Sequence, residues 1–302
     1  MNNDLKLKQI IEEWLQLKKI TLKESTYCGY IYQINQYILP YFKDIDMEEL
    51  EKYNINKFVE SLMESLKPST LKNVIILLKS ILNYSMKKYN YKFNLEFIVT
   101  PKVHKKELKV LNSKEKTRLE NYCLKNNDLR NIGIVICLNT GLRIGEICAL
   151  KWNCINLDKH CIMVNQTMQR IYNKIDKKST IVIDTPKTDN SIRTIPLSTK
   201  LYNILKPLKK QYPSNTYFLS GSSCKYIEPR NYQKRFRKCM KACKIKDCHF
   251  HTLRHSFSSE CIDVGMDPKS LSEILGHSDV SITLNRYVHS NMNIKKRYLE
   301  RL

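Results

Sequence analysis

Tyr287 is the residue of this chain whose chemistry needs the most help from its neighbours. A phenol is a poor nucleophile near neutral pH because its reference pKa is about 10. It becomes useful only where cations stabilise the phenoxide or the charge it attacks. The chain offers such cations in several places. Arg143 stands in Thr140-Gly141-Leu142-Arg143-Ile144-Gly145-Glu146, just past a glycine helix stop, with Glu146 one turn on and close enough to orient the guanidinium. His251 and Arg254, in His251-Thr252-Leu253-Arg254-His255, are three apart and share a helix face, so together they could hold one phosphate. His255 reads as structural. Lys187, in the polar link Pro186-Lys187-Thr188-Asp189-Asn190-Ser191, can serve as a point-charge phosphate ligand or a general acid. His277 sits ten residues before the tyrosine, in Leu275-Gly276-His277. Each feature alone is ordinary: surface Arg–Glu pairs and solvated turn lysines are common.

The elements that must position these residues can be read from periodicity. Residues 1–98 predict a helical bundle. Its first helix carries Ile10, Ile11, Trp14, Leu15 and Leu17; a second opens at Ser25-Thr26 and is stopped by Pro40. An acidic cluster from Asp44 to Glu51 leads a third helix with Ile55, Phe58, Val59 and Leu62 on its core side. Ser69-Thr70 opens a fourth, carrying Leu71, Val74, Ile75, Leu78, Ile81 and Leu82. Residues 99–109, with Pro101 and a basic run, read as a linker. Residues 110–302 form the second unit, with Ser113 capping its first helix and a strongly apolar helix ending at Gly141. Strand-like pieces follow at Cys161–Gln166, Thr180–Asp184 and Ile192–Ile195, the last two expected to flank Lys187 as a β-hairpin. Helices are then predicted at about 198–211, 229–244, 251–264, 268–275, 279–289 and 293–302. In the helix before Tyr287, Ser278 or Asp279 is the expected cap, and Val280, Ile282 and Leu284 are expected to pack inward.

Taken together, Arg143, Lys187, His251, Arg254, His277 and Tyr287 resemble, in order and local context, the tyrosine recombinase (phage integrase) family. The motifs that carry the resemblance are Thr-Gly-Leu-Arg-x-Gly-Glu, Lys-Thr before a Ser-x-Arg-x-Ile-Pro-Leu strand, His-x-Leu-Arg-His, and Leu-Gly-His ten residues before the tyrosine. The resemblance covers nearly the whole chain. It implies a mainly α fold with a small β-sheet: a helical, SAM-like core-binding domain over 1–98 and a mixed α/β catalytic domain over 110–302. It also implies a chemistry. Tyr287 attacks a DNA phosphorus to give a 3′-phosphotyrosine and a 5′-hydroxyl. Arg143 and Arg254 bind the non-bridging oxygens, and Lys187 protonates the leaving oxygen. His251 is the candidate base or hydrogen-bond partner of the phenol, and His277 adds a hydrogen bond to the phosphate. No metal, ATP or other cofactor is required by that scheme.

Composition points the same way. The net charge of +23 is concentrated in the second unit. Residues 1–100 hold 14 Lys and no Arg against 12 acids, and the remaining 202 residues hold 38 basic against 17 acidic side chains. A surface that basic favours a polyanion, usually nucleic acid, and the resemblance implies that the partner is double-stranded DNA. Arg230, Lys234, Arg235 and Lys238, on the basic helix 229–244, are candidate DNA contacts. The resemblance further implies a homotetramer on two DNA sites, helped in some systems by an accessory DNA-bending protein. The helix 293–302 would dock on its own domain or on a neighbouring protomer. No apolar run is long enough for a bilayer and no signal peptide is present, so a cytoplasmic protein without membrane contact is expected. Eleven cysteines in mostly apolar surroundings fit free thiols. Cys239, Cys243, Cys248 and His249 have irregular spacing for zinc, and no metal site is assigned. Two other readings are a DNA-relaxing enzyme of the topoisomerase IB type and a non-catalytic DNA-binding regulator on the same fold. The second predicts no covalent adduct.

Overall fold

The computed structural model describes residues 5–103, 109–125, 128–173, 178–185, 192–287 and 299–300; the side chains of 173, 178 and 285–287 are outside that description. The chain divides into two compact units, residues 1–106 with 171–180, and residues 107–170 with 181–302. Lys187, most of the helix expected at 293–302 and part of the linker expected at 99–109 lie outside the described residues.

Apart from residues 171–180, the first unit is helical: α1 (Leu7–Thr21), α2 (Glu24–Gln33), α3 (Leu39–Phe42), α4 (Met47–Lys52), α5 (Asn56–Met63) and α6 (Pro68–Tyr89). In α1 the buried stripe is Leu7, Ile10, Ile11 and Trp14, while Leu17 turns to solvent. Pro40 does not stop the second helix as expected. A π-helical stretch, Ile34–Ile38, joins α2 to α3, and Pro40 falls in the first turn of α3, where its missing N–H is least costly. The predicted third helix is two. The chain breaks at Tyr53-Asn54, where the Asn54 side chain accepts from the Asn56 N–H at 3.1 Å and offers the backbone a turn instead of a helix. In α6 the predicted residues Leu71, Val74, Ile75, Leu78, Ile81 and Leu82 are all buried, at spacings of three and four. Pro68 lies in the first turn, so the helix begins just before Ser69-Thr70, and Asn90 ends it in a left-handed conformation with φ 62°.

The second unit places α7 (Ser113–Leu124), α8 (Leu129–Thr140) and α9 (Ile144–Ala149) ahead of its strands. The cap of α7 is Asn112 rather than Ser113. Its side chain accepts from the Glu115 N–H at 2.9 Å while the Glu115 carboxylate accepts from the Asn112 N–H at 3.1 Å. Gly141 closes α8 with φ 68°. The strands are β1 (Ile155–Asn156), β2 (Cys161–Val164), β3 (Thr167–Asn173), β4 (Lys178–Asp184) and β5 (Arg193–Pro196). They form a three-stranded antiparallel sheet in the order β1-β2-β5, with Ile155 opposite Ile162 and Ile162 opposite Ile195, and a separate ribbon of β3 with β4. The hairpin expected across Lys187 is therefore corrected. β4 pairs back on β3, a strand that sequence reading missed, and β5 crosses to the other sheet, where Ile195 joins Ile162 and Ile155 in the core. The helices α10 (Thr199–Lys209), α11 (Pro229–Ala242), α12 (Phe250–Asp263), α13 (Pro268–Leu275) and α14 (Val280–Tyr287) complete the unit. α12 packs on α8, and α13 packs on α14 and β5. The expected inward set of α14 is also corrected. Thr283 is fully buried, and Ile282 and Leu284 are exposed because, at 3.6 residues per turn, they lie about 100° to either side of it. Among the described residues no helix is long and apolar enough to cross a membrane.

Candidate active site

The second unit gathers its cations at the C-terminal end of α13. That helix starts at Asp267, whose side chain accepts from the Ser270 N–H at 2.9 Å, and ends at Gly276 in a left-handed conformation with φ 64°. The carbonyls of a last helical turn lack partners within the helix, and the dipole makes them favourable to cations. Three consecutive ones are taken by three arginines from distant parts of the chain. Arg193 Nε donates to the Ile274 carbonyl at 2.5 Å, Arg254 Nη2 to Leu275 at 2.8 Å, and Arg143 Nη2 to Gly276 at 3.0 Å. Arg254 is also tied to the end of α8, through Nη1 and the Gly141 carbonyl at 2.9 Å. The glycines are required here. A Cβ on Gly141 would lie 2.8 Å from both Leu275 and Phe257, and one on Gly276 would lie 3.0 Å from the Arg193 side chain.

Arg143 stands just ahead of α9, and Glu146 binds it twice. The carboxylate accepts from the Arg143 backbone N–H at 2.8 Å and from its Nη1 at 2.7 Å, the orienting role expected of Glu146. The same carboxylate holds Arg193, with Nη1 at 3.0 Å from Oε1 and Nη2 at 2.9 Å from Oε2. Burial pushes the Glu146 carboxyl up. The charge and hydrogen bonds of Arg193, followed by those of Arg143, override burial and bring it down to about 2. Glu146 and Arg193 are almost wholly buried, whereas the Arg143 side chain keeps 35% of its surface open.

His277, the next residue after the cap, is buried, and its Nδ1 is 2.8 Å from the Thr283 hydroxyl on α14. The first turn of α14 is closed by Asp279, which accepts from the Ser281 N–H at 2.8 Å. His251 lies at the exposed start of α12, while Arg254, one turn on, is buried. The His251 ring meets buried His255 edge-on, with centroids 4.6 Å apart. Arg143, Glu146, Arg254 and His277 are thus held around one turn, and that turn leads directly into the helix ending at Tyr287. The Tyr287 side chain and Lys187 lie outside the described residues.

Sequence reasoning missed two residues of this cluster. Arg193 was readable as an inward-facing strand position in phase with Ile195, and Thr283 as a polar residue on the inner face of α14. Three guanidinium groups against one carboxylate leave an excess of positive charge held by backbone carbonyls. That is the electrostatics of an anion site. Of the four candidate DNA contacts on α11, Arg230, Lys234 and Lys238 are exposed. Arg235 turns back, 2.9 Å from Asp128 and 3.0 Å from the Asn131 side chain.

Known proteins share this architecture. The phage integrase family matches residues 102–293, and the phage integrase N-terminal SAM-like domain matches residues 6–63. A tyrosine recombinase XerC-like protein of Caldanaerobacter subterraneus subsp. tengcongensis is 25% identical over 313 residues, covering 95% of this chain and 80% of that protein. The ICEBs1 integrase of Bacillus subtilis is 27% identical over 305 residues, covering 97% and 81%. Among solved structures, the Tn1549 transposon integrase in complex with transposon right end DNA superposes with a TM-score of 0.79 at 20% identity. That match covers 98% of this chain and 99% of the other. The lambda integrase tetramer bound to a Holliday junction gives 0.66 at 15%, covering 93% and 78%. The chain belongs to the phage integrase family, and so to the tyrosine-type site-specific recombinases that break and rejoin DNA strands.

Proposed function

We propose that Tyr287 is the nucleophile of this recombinase. It attacks a phosphodiester of duplex DNA, forms a 3′-phosphotyrosine and releases a 5′-hydroxyl, which a second DNA end reverses. The observation that carries this reading is the meeting of Arg143 and Arg254 on the carbonyls of Gly276 and Leu275, in the turn that itself carries His277, just ahead of the helix α14 that ends at Tyr287. In this reading Arg143 and Arg254 stabilise the negative charge that grows on the non-bridging oxygens as phosphorus becomes five-coordinate. His277 donates a further hydrogen bond to the phosphate, His251 takes or shares the phenol proton, and Lys187 gives a proton to the leaving 5′-oxygen. Glu146 orients Arg143. The scheme uses no metal and no cofactor.

The DNA would be held by both units, the helical one over 1–98 and the catalytic one over 110–302, with 99–109 as the link. Exposed Arg230, Lys234 and Lys238 on α11 contact phosphates, while Arg235 supports the fold through Asp128. Four copies act on two sites; lambda integrase, similar in fold, is a tetramer when bound to a Holliday junction. The helix 293–302 and, in some settings, a DNA-bending protein would assist assembly. The likeness to the ICEBs1 integrase and to the transposases of Tn916 and Tn1545 supports a mobile element as the DNA, handled in the cytoplasm. The test incubates wild type and Tyr287→Phe with nicked duplexes carrying candidate element ends and runs a denaturing gel. A covalent protein–DNA band from wild type alone is expected. No band from either, with DNA binding intact, would make the chain a regulator instead.

A further inference from the structure

Arg193 stands apart from the six residues given chemical roles above, yet its side chain makes three hydrogen bonds within the cluster. It projects from β5 in phase with Ile195, is only 8% exposed, and meets Glu146 with both arms of its fork. Each Glu146 oxygen therefore receives one hydrogen from Arg193 and one from Arg143. Arg143 alone would give each carboxylate oxygen a single hydrogen bond, one from the backbone and one from the guanidinium. The bidentate grip from the opposite side fixes the carboxylate plane, and with it the direction in which Arg143 Nη1 is drawn. The third bond of Arg193, to the Ile274 carbonyl, anchors the same side chain to the turn whose Gly276 carbonyl receives Arg143 Nη2. Arg193 thus touches the carboxylate that holds the Arg143 guanidinium and the turn that carries its other acceptor. The fit leaves no slack, because a Cβ at Gly276 would press on the Arg193 Cδ and Nη1 atoms.

We propose that Arg193 is a positioning residue for DNA cleavage: through Glu146 and the Ile274 carbonyl, it sets the orientation in which Arg143 meets the reacting phosphate. This rests on the cleavage reading above. Lysine cannot replace it, since an ammonium can meet one carboxylate oxygen but cannot span both and also reach Ile274. The aim of Arg143 would then loosen, and a misplacement of about 1 Å at a reacting centre costs roughly 100-fold in rate.

The test measures covalent adduct formation in a single turnover, with enzyme saturating over nicked duplex. It uses wild type, Arg193→Lys, Arg193→Met, Arg143→Lys and the double variant Arg143→Lys/Arg193→Lys. DNA affinity and thermal unfolding are followed in parallel. Expected are a roughly 100-fold slower step for Arg193→Lys, with DNA affinity within about 2-fold of wild type. The double variant should be at most about 3-fold slower than Arg143→Lys alone, because the clamp then has nothing left to aim. A purely structural role would instead multiply the two losses. The positioning role is overturned by multiplied losses, by Arg193→Lys cleaving at the wild-type rate, or by unfolding of both Arg193 variants. A wild type that forms no adduct removes the cleavage reading and this role together, whereas a wild-type adduct with unaffected Arg193 variants removes only this role.

Discussion

Glu13 and Glu146 each gather several donors, and they sit in opposite surroundings. In the helical unit, Glu13 on α1 accepts from Lys88 at 2.8 Å, from Tyr89 at 2.7 Å and from Tyr84 at 3.3 Å, all on α6. The Glu13 and Lys88 side chains remain 36% and 47% exposed. In the catalytic unit, Glu146 gathers Arg143 and Arg193 while 3% exposed. Both carboxyls lie below their ordinary range. For Glu13 the cause is hydrogen bonding from Lys88 and then Tyr89. For Glu146, burial opposes the shift and two guanidinium groups overcome it. The two arrangements differ in what they can be used for. Water screens the first, so its geometry is replaceable and little follows from losing it. The second has no water to fall back on, so its partners must stay in one arrangement, which is the property a phosphate-binding site needs.

The largest effect expected from breaking this contrast is at Arg254. Replacing it with alanine removes a proposed phosphate ligand and leaves the Gly141 and Leu275 carbonyls without that donor. Adduct formation should fall by roughly 1,000-fold, in line with the loss of one charge-stabilising donor. Stability measured by denaturant unfolding should fall by about 1–3 kcal/mol. Glu146→Ala comes next. It leaves Arg193 buried without its carboxylate and should cost about 3–5 kcal/mol. The same carboxylate should make the fold acid-sensitive. Its pKa is near 4.5 when unfolded and about 2 when folded, so the stability it supplies is complete above about pH 4.5. That stability is lost as pH falls from there through 2. Thermal melts from pH 5 to pH 2 should show this slope in wild type and a shallower one in Glu146→Gln. Gly276→Ala, which strains a left-handed cap and crowds Arg193, should cost about 1–2 kcal/mol and slow adduct formation without weakening DNA binding. At the small end, Glu13→Gln should leave the melting temperature and the adduct rate almost unchanged. A large effect there would break the contrast. Lys238→Ala should weaken DNA binding evenly across sequences and lower the salt slope by about 1, measured by binding titrations at several salt concentrations.

Much of this was legible in the chain itself, for physical reasons that can be named. The α6 core repeats every three or four residues because its helix is packed along one face, and local periodicity records that directly. Gly141 and Gly276 announced two helix ends because a left-handed cap is cheapest in glycine. The Arg143–Glu146 pair was readable because its partners are one turn apart. What escaped depends on distance in the chain. Arg193 finds Glu146 47 residues away, a pairing that no local pattern encodes. The strand after Lys187 goes to the other sheet because Ile195 completes an apolar face with Ile162 and Ile155, whereas the turn-forming residues between the strands suggested a hairpin. Thr283 was passed over because polar residues were assigned outward, yet a buried hydroxyl is well placed once a histidine nitrogen meets it.

In the proposed reaction one phenolic oxygen, that of Tyr287, carries the bond to DNA while the arginines hold the phosphate. The direct measurement traps the covalent complex on nicked duplex, digests it with protease and nuclease, and identifies the modified residue by mass spectrometry. A single peptide containing Tyr287, linked to the 3′ end of the cut strand, is expected. A nucleotide on any other residue, or a 5′ linkage, would contradict it.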